Sequence, residues 1–200
     1  MGQASERTPA TTRQSARTPR SRARILTSAW ELFEANGLRA LTVDAIAERA
    51  GVGKATIYRW WPNKNAVLMD ALLDALAPHI AFPDTGSTRE DLRSQLAAVI
   101  EVLTTSTAGS AYLALVAESR HDAALARELR RRYIASRRSA AAEVLRRGVE
   151  RGDLRGDLDP DIAIDALYGA LYYRLLVSHT ELDPGYADRL LDLIYPTLTP

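Results

Sequence analysis

From about Pro19 to its last residues, this 200-residue chain repeats apolar side chains at the three- and four-residue spacing of an α-helix, and no stretch alternates as a half-buried strand must. Helices are therefore its only means of building a core, and the chain is expected to be all-α. Helix one is expected to open with Thr18 as N-cap and Pro19 in the first turn, where a missing N–H does no harm, and to close at Asn36-Gly37. Its residues Ile25, Ala29, Leu32 and Phe33 form one apolar stripe. Thr42 then caps a short helix from Val43 to Arg49, with Val43, Ile46 and Ala47 facing inward. After the break at Ala50-Gly51-Val52, a second short helix runs from Lys54 to Trp61. Pro62 and Asn63 end it and start a fourth, which carries Val67, Leu68, Ala71, Leu72, Ala75 and Leu76.

Charge divides the chain in the same place. Its formal net charge is only +1, yet residues 1–64 hold 11 Lys and Arg against 5 Asp and Glu, and the remainder holds 15 against 20. Both lysines, Lys54 and Lys64, lie in the basic part. A basic front on an acidic body suits a protein that brings one end to phosphate. The chain has no cysteine, which excludes disulfides, thiolate chemistry and sensing by thiol oxidation. No run approaches the roughly 20 apolar residues of a membrane-spanning helix, so no membrane partner is expected. Residues 1–17, rich in Ser, Thr, Arg, Gln and Pro and lacking the apolar core of a secretory signal, are expected to form a disordered basic tail.

Two short helices joined by a tight Gly-containing turn, preceded by a longer helix, make a helix-turn-helix unit, although a plain helical hairpin fits the turn alone. The second short helix argues for the former. Drawn as a wheel, it gathers Ile57, Trp60 and Trp61 on one side and sets Lys54, Ala55, Thr56, Tyr58 and Arg59 on the other. Such a face suits phosphates and base edges: Arg59 or Lys54 can read guanine, the methyls of Ala55 and Thr56 can meet thymine, and the Tyr58 hydroxyl can bond a phosphate.

The run Leu41 to Leu68, LTVDAIAERAGVGKATIYRWWPNKNAVL, resembles the DNA-binding module of the TetR/AcrR family of bacterial transcriptional regulators. Its most specific part is G-V-x-K-x-T-I-Y-x-x-W-P-x-K, Gly51 to Lys64, and with helix one the likeness covers roughly residues 20 to 70. The resemblance implies that Thr42 and Tyr58 touch phosphates, that residues 54 to 56 and Trp60 line the major groove, and that Lys64 binds a backbone phosphate at the start of helix four. Gly53 stands where Ser often caps the recognition helix, Trp60-Trp61 replaces Tyr or His followed by Phe, and Asn65 replaces a frequent Glu. Trp61 is expected in the core; Trp60 can pack inward or lie on the DNA backbone. Arginines ahead of and opening helix one, Arg7, Arg13, Arg17, Arg20, Arg22 and Arg24, oppose its macrodipole. They are expected to find compensation on DNA, with Arg17, Arg20 and Arg22 along phosphates or in the minor groove.

Domain boundaries are expected at 1–17 for the tail, 18–80 for the helix-turn-helix domain with its connecting fourth helix, and 81–200 for a second helical domain. In the latter, Thr88 is expected to cap a helix to about Thr104, and a Ser/Thr/Gly cluster at 105–110 to precede a short helix. Asp122 caps a long helix to about Arg151, and Asp159-Pro160 and Asp183-Pro184 open two more. From Ile162 to Val177 only Asp165 and Arg174 are charged, so this helix must be covered on more than one side. Leu167, Leu171 and Leu175 suit the domain's own core. The resemblance implies a homodimer built as a four-helix bundle from the last two long helices, with Ala163, Ala166, Gly169, Ala170 and Tyr173 on one and Ala187, Leu190, Leu191 and Ile194 on the other. It also implies a small-molecule effector in a cavity of the second domain. Leu103, Tyr112, Val116, Tyr133, Tyr168 and Tyr172 are the candidates, as apolar or aromatic side chains on helices that can converge.

The expectation is thus an all-helical bacterial, cytoplasmic repressor, released from a palindromic double-stranded DNA operator by its effector, with no cofactor, no metal and no enzymatic activity. His79, His121 and His179 stand in no metal-binding frame, and no nucleophile-elbow, Walker or dinucleotide fingerprint occurs. Two alternatives stay open at this point. A well-packed second domain without a cavity would favour a ligand-independent or activating regulator, and a helix-turn-helix that binds no DNA would favour a helical binding protein or enzyme.

Overall fold

The computed structural model describes the backbone of residues 11–76 and 82–200, and side chains from residue 19 onward. Every regular element among them is helical. Two compact units emerge, Met1–Ala71 and Leu72–Pro200, and the division falls inside a helix, not at residue 80. The fourth helix is continuous, so its first turns belong to one unit and its last turn to the other.

The first unit holds α1 (Thr11–Ala40), α2 (Val43–Ala50), α3 (Lys54–Tyr58) and the start of α4 (Lys64–Leu76). α1 begins ahead of the expected Thr18 cap and carries Pro19 inside it, so residues 11–17 are helical where composition suggested a tail. No Gly or Pro interrupts Thr11 to Thr18, and the helix runs on through Pro19, which has no N–H to donate to the preceding turn. Gly37, at φ 69° and ψ −177°, breaks the helix at the Asn36-Gly37 stop before one more turn follows. Ile25, Ala29 and Phe33 of α1, Ile46 and Ala47 of α2, Ile57 of α3, Trp61, and Val67 and Leu68 of α4 are buried, whereas Leu32 is half-exposed. Each fully buried aliphatic side chain stabilises by about 1.5 to 3 kcal/mol relative to exposure.

The second unit holds the last turn of α4, then α5 (Thr88–Thr105), α6 (Thr107–Glu118), α7 (Ala123–Leu129), α8 (Ala135–Arg151), α9 (Pro160–Tyr173) and α10 (Tyr186–Ile194). A π-helical turn, Arg130–Ile134, joins α7 to α8, so the long helix expected after Asp122 exists with a wider turn inside it; a second π turn, Arg174–Ser178, extends α9. α5 packs against α6, α8 and α10, while α9 packs against α8 and α10. Leu92, Leu96, Leu115, Leu145, Leu167 and Leu191 form the core between them.

Caps explain most helix starts. Asp122 accepts from the backbone N–H of Ala124 and Leu125, and Asp159 from those of Asp161 and Ile162. At α5 the cap is Ser87, not Thr88, because Thr88 is fully buried and its hydroxyl donates to Asp153 at 2.8 Å. α6 starts inside the expected Ser/Thr/Gly cluster, with Ser106 as cap. Asp183 accepts from the Gly185 N–H in a turn ahead of α10 rather than capping it directly.

Candidate DNA-binding face and effector cavity

The turn between α2 and α3 is set by Gly51, whose left-handed φ of 61° closes α2 by donating to the carbonyls of Ala47 and Glu48. Thr42 caps the other end, its hydroxyl accepting from the Ala45 N–H at 3.1 Å. Gly53 opens α3 with extended backbone and no side-chain cap. Regular α-helix covers only Lys54–Tyr58, shorter than the expected Lys54 to Trp61, although Trp61 N–H still donates to Ile57 O at 3.0 Å. Ile57 and Trp61 are buried beneath the helix, and Lys54, Ala55, Tyr58 and Arg59 are exposed on top with Thr56 half-buried. Tyr58 is 54% exposed, so its ring and hydroxyl stand open beside the cations of α3.

Cations of this unit fall into two groups. Lys54 is paired with Asp44 across the turn at 2.8 Å, which raises its pKa, and both side chains remain largely open to solvent. Arg59 lies over the Trp60 ring, which stands edge-on to Trp61, so Trp60 is half-buried at the rim of the core. Arg20 is exposed. By contrast, Arg22 bonds Asp70 at 2.8 Å, and the Trp61 indole donates to the same carboxylate oxygen at 2.9 Å. Arg24 donates to the carbonyl of Ala50 at the end of α2, and Lys64 to that of Leu38 at 2.9 Å. Arg22 and Arg24 are thus compensated within the unit, contrary to the expectation that DNA must do it. Lys64 fastens the end of α1, so its ammonium is not simply presented at a helix start. Side chains of Arg7, Arg13 and Arg17 lie outside the described residues.

In the second unit the six candidates Leu103, Tyr112, Val116, Tyr133, Tyr168 and Tyr172, drawn from four separate segments, all line one cavity of about 260 Å³. Tyr112 sits at its centre, with ring centroids 5.0 Å from Tyr133 and 6.1 Å from Tyr172, and its hydroxyl donates to that of Tyr172 at 3.4 Å. The Tyr168 hydroxyl donates to Gln95 Oε1. Burial pushes all four hydroxyls up, Tyr133 to about 12, so each stays a neutral donor. Sequence reasoning missed Leu76, Phe82, Gln95 and Arg137 in the same wall. Two of them left a signal: Gln95 is a polar residue on the apolar face Leu92-Gln95-Leu96-Val99, and Arg137 lies between Tyr133 and Ala141 at i+4 and i+8.

Residues 25–71 match the bacterial regulatory proteins of the tetR family, and residues 82–194 match the tetracyclin repressor-like C-terminal domain. The HTH-type transcriptional regulator YdeS of Bacillus subtilis (strain 168) is 38% identical over 167 residues, 84% of each chain. The chain belongs to the TetR family of transcriptional regulators. Among solved structures, the TetR family transcription regulator SCO0332 superposes with a TM-score of 0.75 at 37% identity, over 90% of this chain and 99% of that one. FadR from Bacillus subtilis, solved in complex with stearoyl-CoA, shares the fold with a TM-score of 0.63 at 17% identity, over 86% and 97%. A TetR-family regulator is not an enzyme, and α2-turn-α3 is its DNA-binding helix-turn-helix.

For the residues expected at a dimer contact, this regulator divides its two last helices by face. Ala163, Ala187, Leu190 and Leu191 are buried within the single chain and offer no surface, because they pack α9 and α10 into their own core. Ala166, Gly169 and Tyr173 are exposed, and Ala170 and Ile194 half-exposed. Ile162 and Val177 extend the open stripe along α9, and Leu193, 75% exposed, stands out from α10.

Proposed function

We propose that this TetR-family protein is a cytoplasmic, homodimeric repressor that leaves a palindromic operator when a small molecule fills the cavity of its second unit. The observation that carries the reading is the convergence of Tyr112, Tyr133, Tyr168 and Tyr172 with Leu103 and Val116 around one space; a fully packed second unit would have favoured a ligand-independent regulator. α4 supplies the connection. It begins with Lys64, carries Asp70 on which Trp61 is anchored, and ends with Leu76 in the cavity wall. A ligand that favours one placement of α4 biases the helix-turn-helix through that covalent rod, and a coupling of about 1 to 3 kcal/mol changes operator affinity roughly 5- to 150-fold. FadR from Bacillus subtilis, which shares the fold, was solved in complex with stearoyl-CoA, in keeping with a small-molecule ligand for a protein of this fold.

On the DNA side, the reading assigns Lys54, Ala55, Thr56 and Arg59 to base edges and Thr42 and Tyr58 to phosphates, with Trp60 at the rim, while Lys64 would have to leave the Leu38 carbonyl to reach a phosphate. Two copies related by a two-fold axis would set their α3 helices about 34 to 36 Å apart, one turn of B-DNA. The test is gel-shift titration of the full-length protein against the palindromes upstream of its own and neighbouring genes. Salt-dependent, saturable binding is expected, and Tyr58→Phe with Lys54→Ala should weaken it by about 10- to 100-fold in keeping with two or more lost contacts. A variant that binds as tightly as the wild type would remove α3 from the interface.

A further inference from the structure

Hydrogen bonds among the side chains of the cavity wall leave donors over. The Tyr168 hydroxyl spends its hydrogen on Gln95 Oε1, and that of Tyr112 goes to the Tyr172 oxygen at 3.4 Å. Three donors of the wall remain: the Gln95 amide N–H2, the Tyr172 hydroxyl and the Tyr133 hydroxyl find no acceptor among the described residues. Gln95 is only 2% exposed, and burial holds both hydroxyls in their neutral, hydrogen-bearing form. A buried N–H or O–H without an acceptor is costly, whereas an oxygen with a spare lone pair costs less. The wall therefore asks for acceptors more than for donors. Tyr168 and Tyr172 stand one turn apart on α9, close enough for the Tyr172 hydroxyl to be felt at that of Tyr168. The unspent hydrogens of Gln95 and Tyr172 thus share one corner, and a single carbonyl oxygen, with its two lone pairs, can take one from each.

Charge is disfavoured in that corner. No described lining residue is a carboxylate, and a cation would meet donors and the positive Arg137, whose charge is felt at the hydroxyls of Tyr133, Tyr168 and Tyr172. An anion would need a guanidinium to replace its lost water. Arg138 is answered by Asp161 at 2.6 Å and Asp165 at 2.5 Å, and Arg137 is engaged within the protein with its Nη2 closed to solvent. Size narrows the class further. An apolar cavity of 150 Å³ holds benzene, so about 260 Å³ has room for roughly ten non-hydrogen atoms. Both π-helical turns also border this space, Tyr133 and Ile134 coming from Arg130–Ile134 and Leu176 from Arg174–Ser178. Such turns are rare and gather at functional sites.

We propose that the effector is a small uncharged carbonyl compound, an aryl or cycloalkyl ketone or ester, whose carbonyl oxygen accepts from Gln95 and Tyr172 while its hydrocarbon body fills the apolar remainder of the cavity. This assignment rests on the reading of the cavity as the effector site, and deepens it from the existence of a ligand to its chemical class.

Isothermal titration of the full-length protein with four compounds on one ring frame tests it: 1-indanone, indane without the oxygen, the cation 1-aminoindane and the anion indane-1-carboxylate. Wild type should bind 1-indanone about 5- to 100-fold more tightly than indane, the worth of two neutral hydrogen bonds, and both charged compounds more weakly than 1-indanone. Tyr172→Phe, which keeps the ring, should lower the 1-indanone affinity about 2- to 10-fold and leave that of indane unchanged. Val116→Phe, which narrows the cavity, should weaken both. The wild-type series needs no variant to fold. If indane binds as tightly as 1-indanone, if either charged compound binds more tightly, or if Tyr172→Phe leaves the 1-indanone affinity unchanged, the carbonyl class is wrong; the cavity stands as an effector site so long as Val116→Phe weakens binding. If no compound binds the wild type, or Val116→Phe changes nothing, the reading of the cavity falls with it.

Discussion

Arg20, Arg22 and Arg24 look alike in the sequence, yet each has a different fate. Because α1 starts at Thr11, none of the three stands in its first turn, where a macrodipole acts most strongly, and Arg22 and Arg24 find partners in Asp70 and the Ala50 carbonyl. Arg20→Ala should therefore lower the log–log salt slope of operator binding by about 0.9 with little change in melting temperature, if it contacts phosphate. Arg22→Ala should do the reverse, destabilising the unit by up to about 1 kcal/mol because a partly exposed pair is lost. An unchanged salt slope in the first variant would take Arg20 off the DNA. Gly51 shows the same dependence on surroundings: its φ of 61° already disfavours any side chain, and an added Cβ would lie 2.7 Å from the Arg24 guanidinium. Gly51→Ala should cost about 1 to 2 kcal/mol in urea unfolding, most of it from the backbone, since the guanidinium is the end of a flexible side chain.

At the scale of elements, two junctions hold the second unit together. α5 and α6 meet so closely that a Cβ on Gly109 would stand 2.1 Å from the Val102 carbonyl oxygen, which is backbone and cannot swing aside. Gly109→Ala should destabilise by about 1 to 3 kcal/mol, more than Gly51→Ala, and disturb the cavity that Gly109 also lines. Where α8 ends, Asp153 accepts from both the N–H and the hydroxyl of Thr88 at the start of α5, and these bonds hold its carboxyl below the ordinary range. A carboxyl whose folded pKa lies below its unfolded value of about 3.9 contributes in full above that value, and loses its contribution as pH falls through the folded one. Thermal melts of Asp153→Asn from about pH 5 to pH 2 should therefore decline less steeply than those of the wild type, and parallel curves would show that the pair carries no acid sensitivity.

For the whole molecule, the exposed stripe of Ile162, Ala166, Gly169 and Tyr173 on α9, with Leu193 on α10, is the surface a second copy would cover. Ile162→Glu with Tyr173→Glu should give a monomer in light-scattering chromatography with unchanged helical circular dichroism, since both side chains are already open to water in the single chain. Leu191→Glu should instead unfold the second unit, because Leu191 is fully buried. A doubly substituted protein that remains dimeric would move the interface elsewhere.

The all-helical class, the helix-turn-helix and its exposed face followed from the sequence alone, because a helix and its caps are decided by residues within about one turn of each other. Thr42, Gly51, Asp122 and Asp159 each act on their own neighbours, and Lys54 to Tyr58 share a face whatever lies beyond. Periodicity also showed that α9 is apolar nearly all round, but not which side meets α8 and α10; only packing turned Ala163 and Leu167 inward and left Ile162 and Tyr173 open. Tertiary structure likewise decided which arginines are tied down, and brought Arg137 of α8, Gln95 of α5 and Tyr168 of α9 to one cavity from positions 42 and 31 residues apart in sequence. Spacing along a helix fixes which side chains travel together, whereas the meeting of faces depends on the angles at which helices cross, and those belong to the whole core.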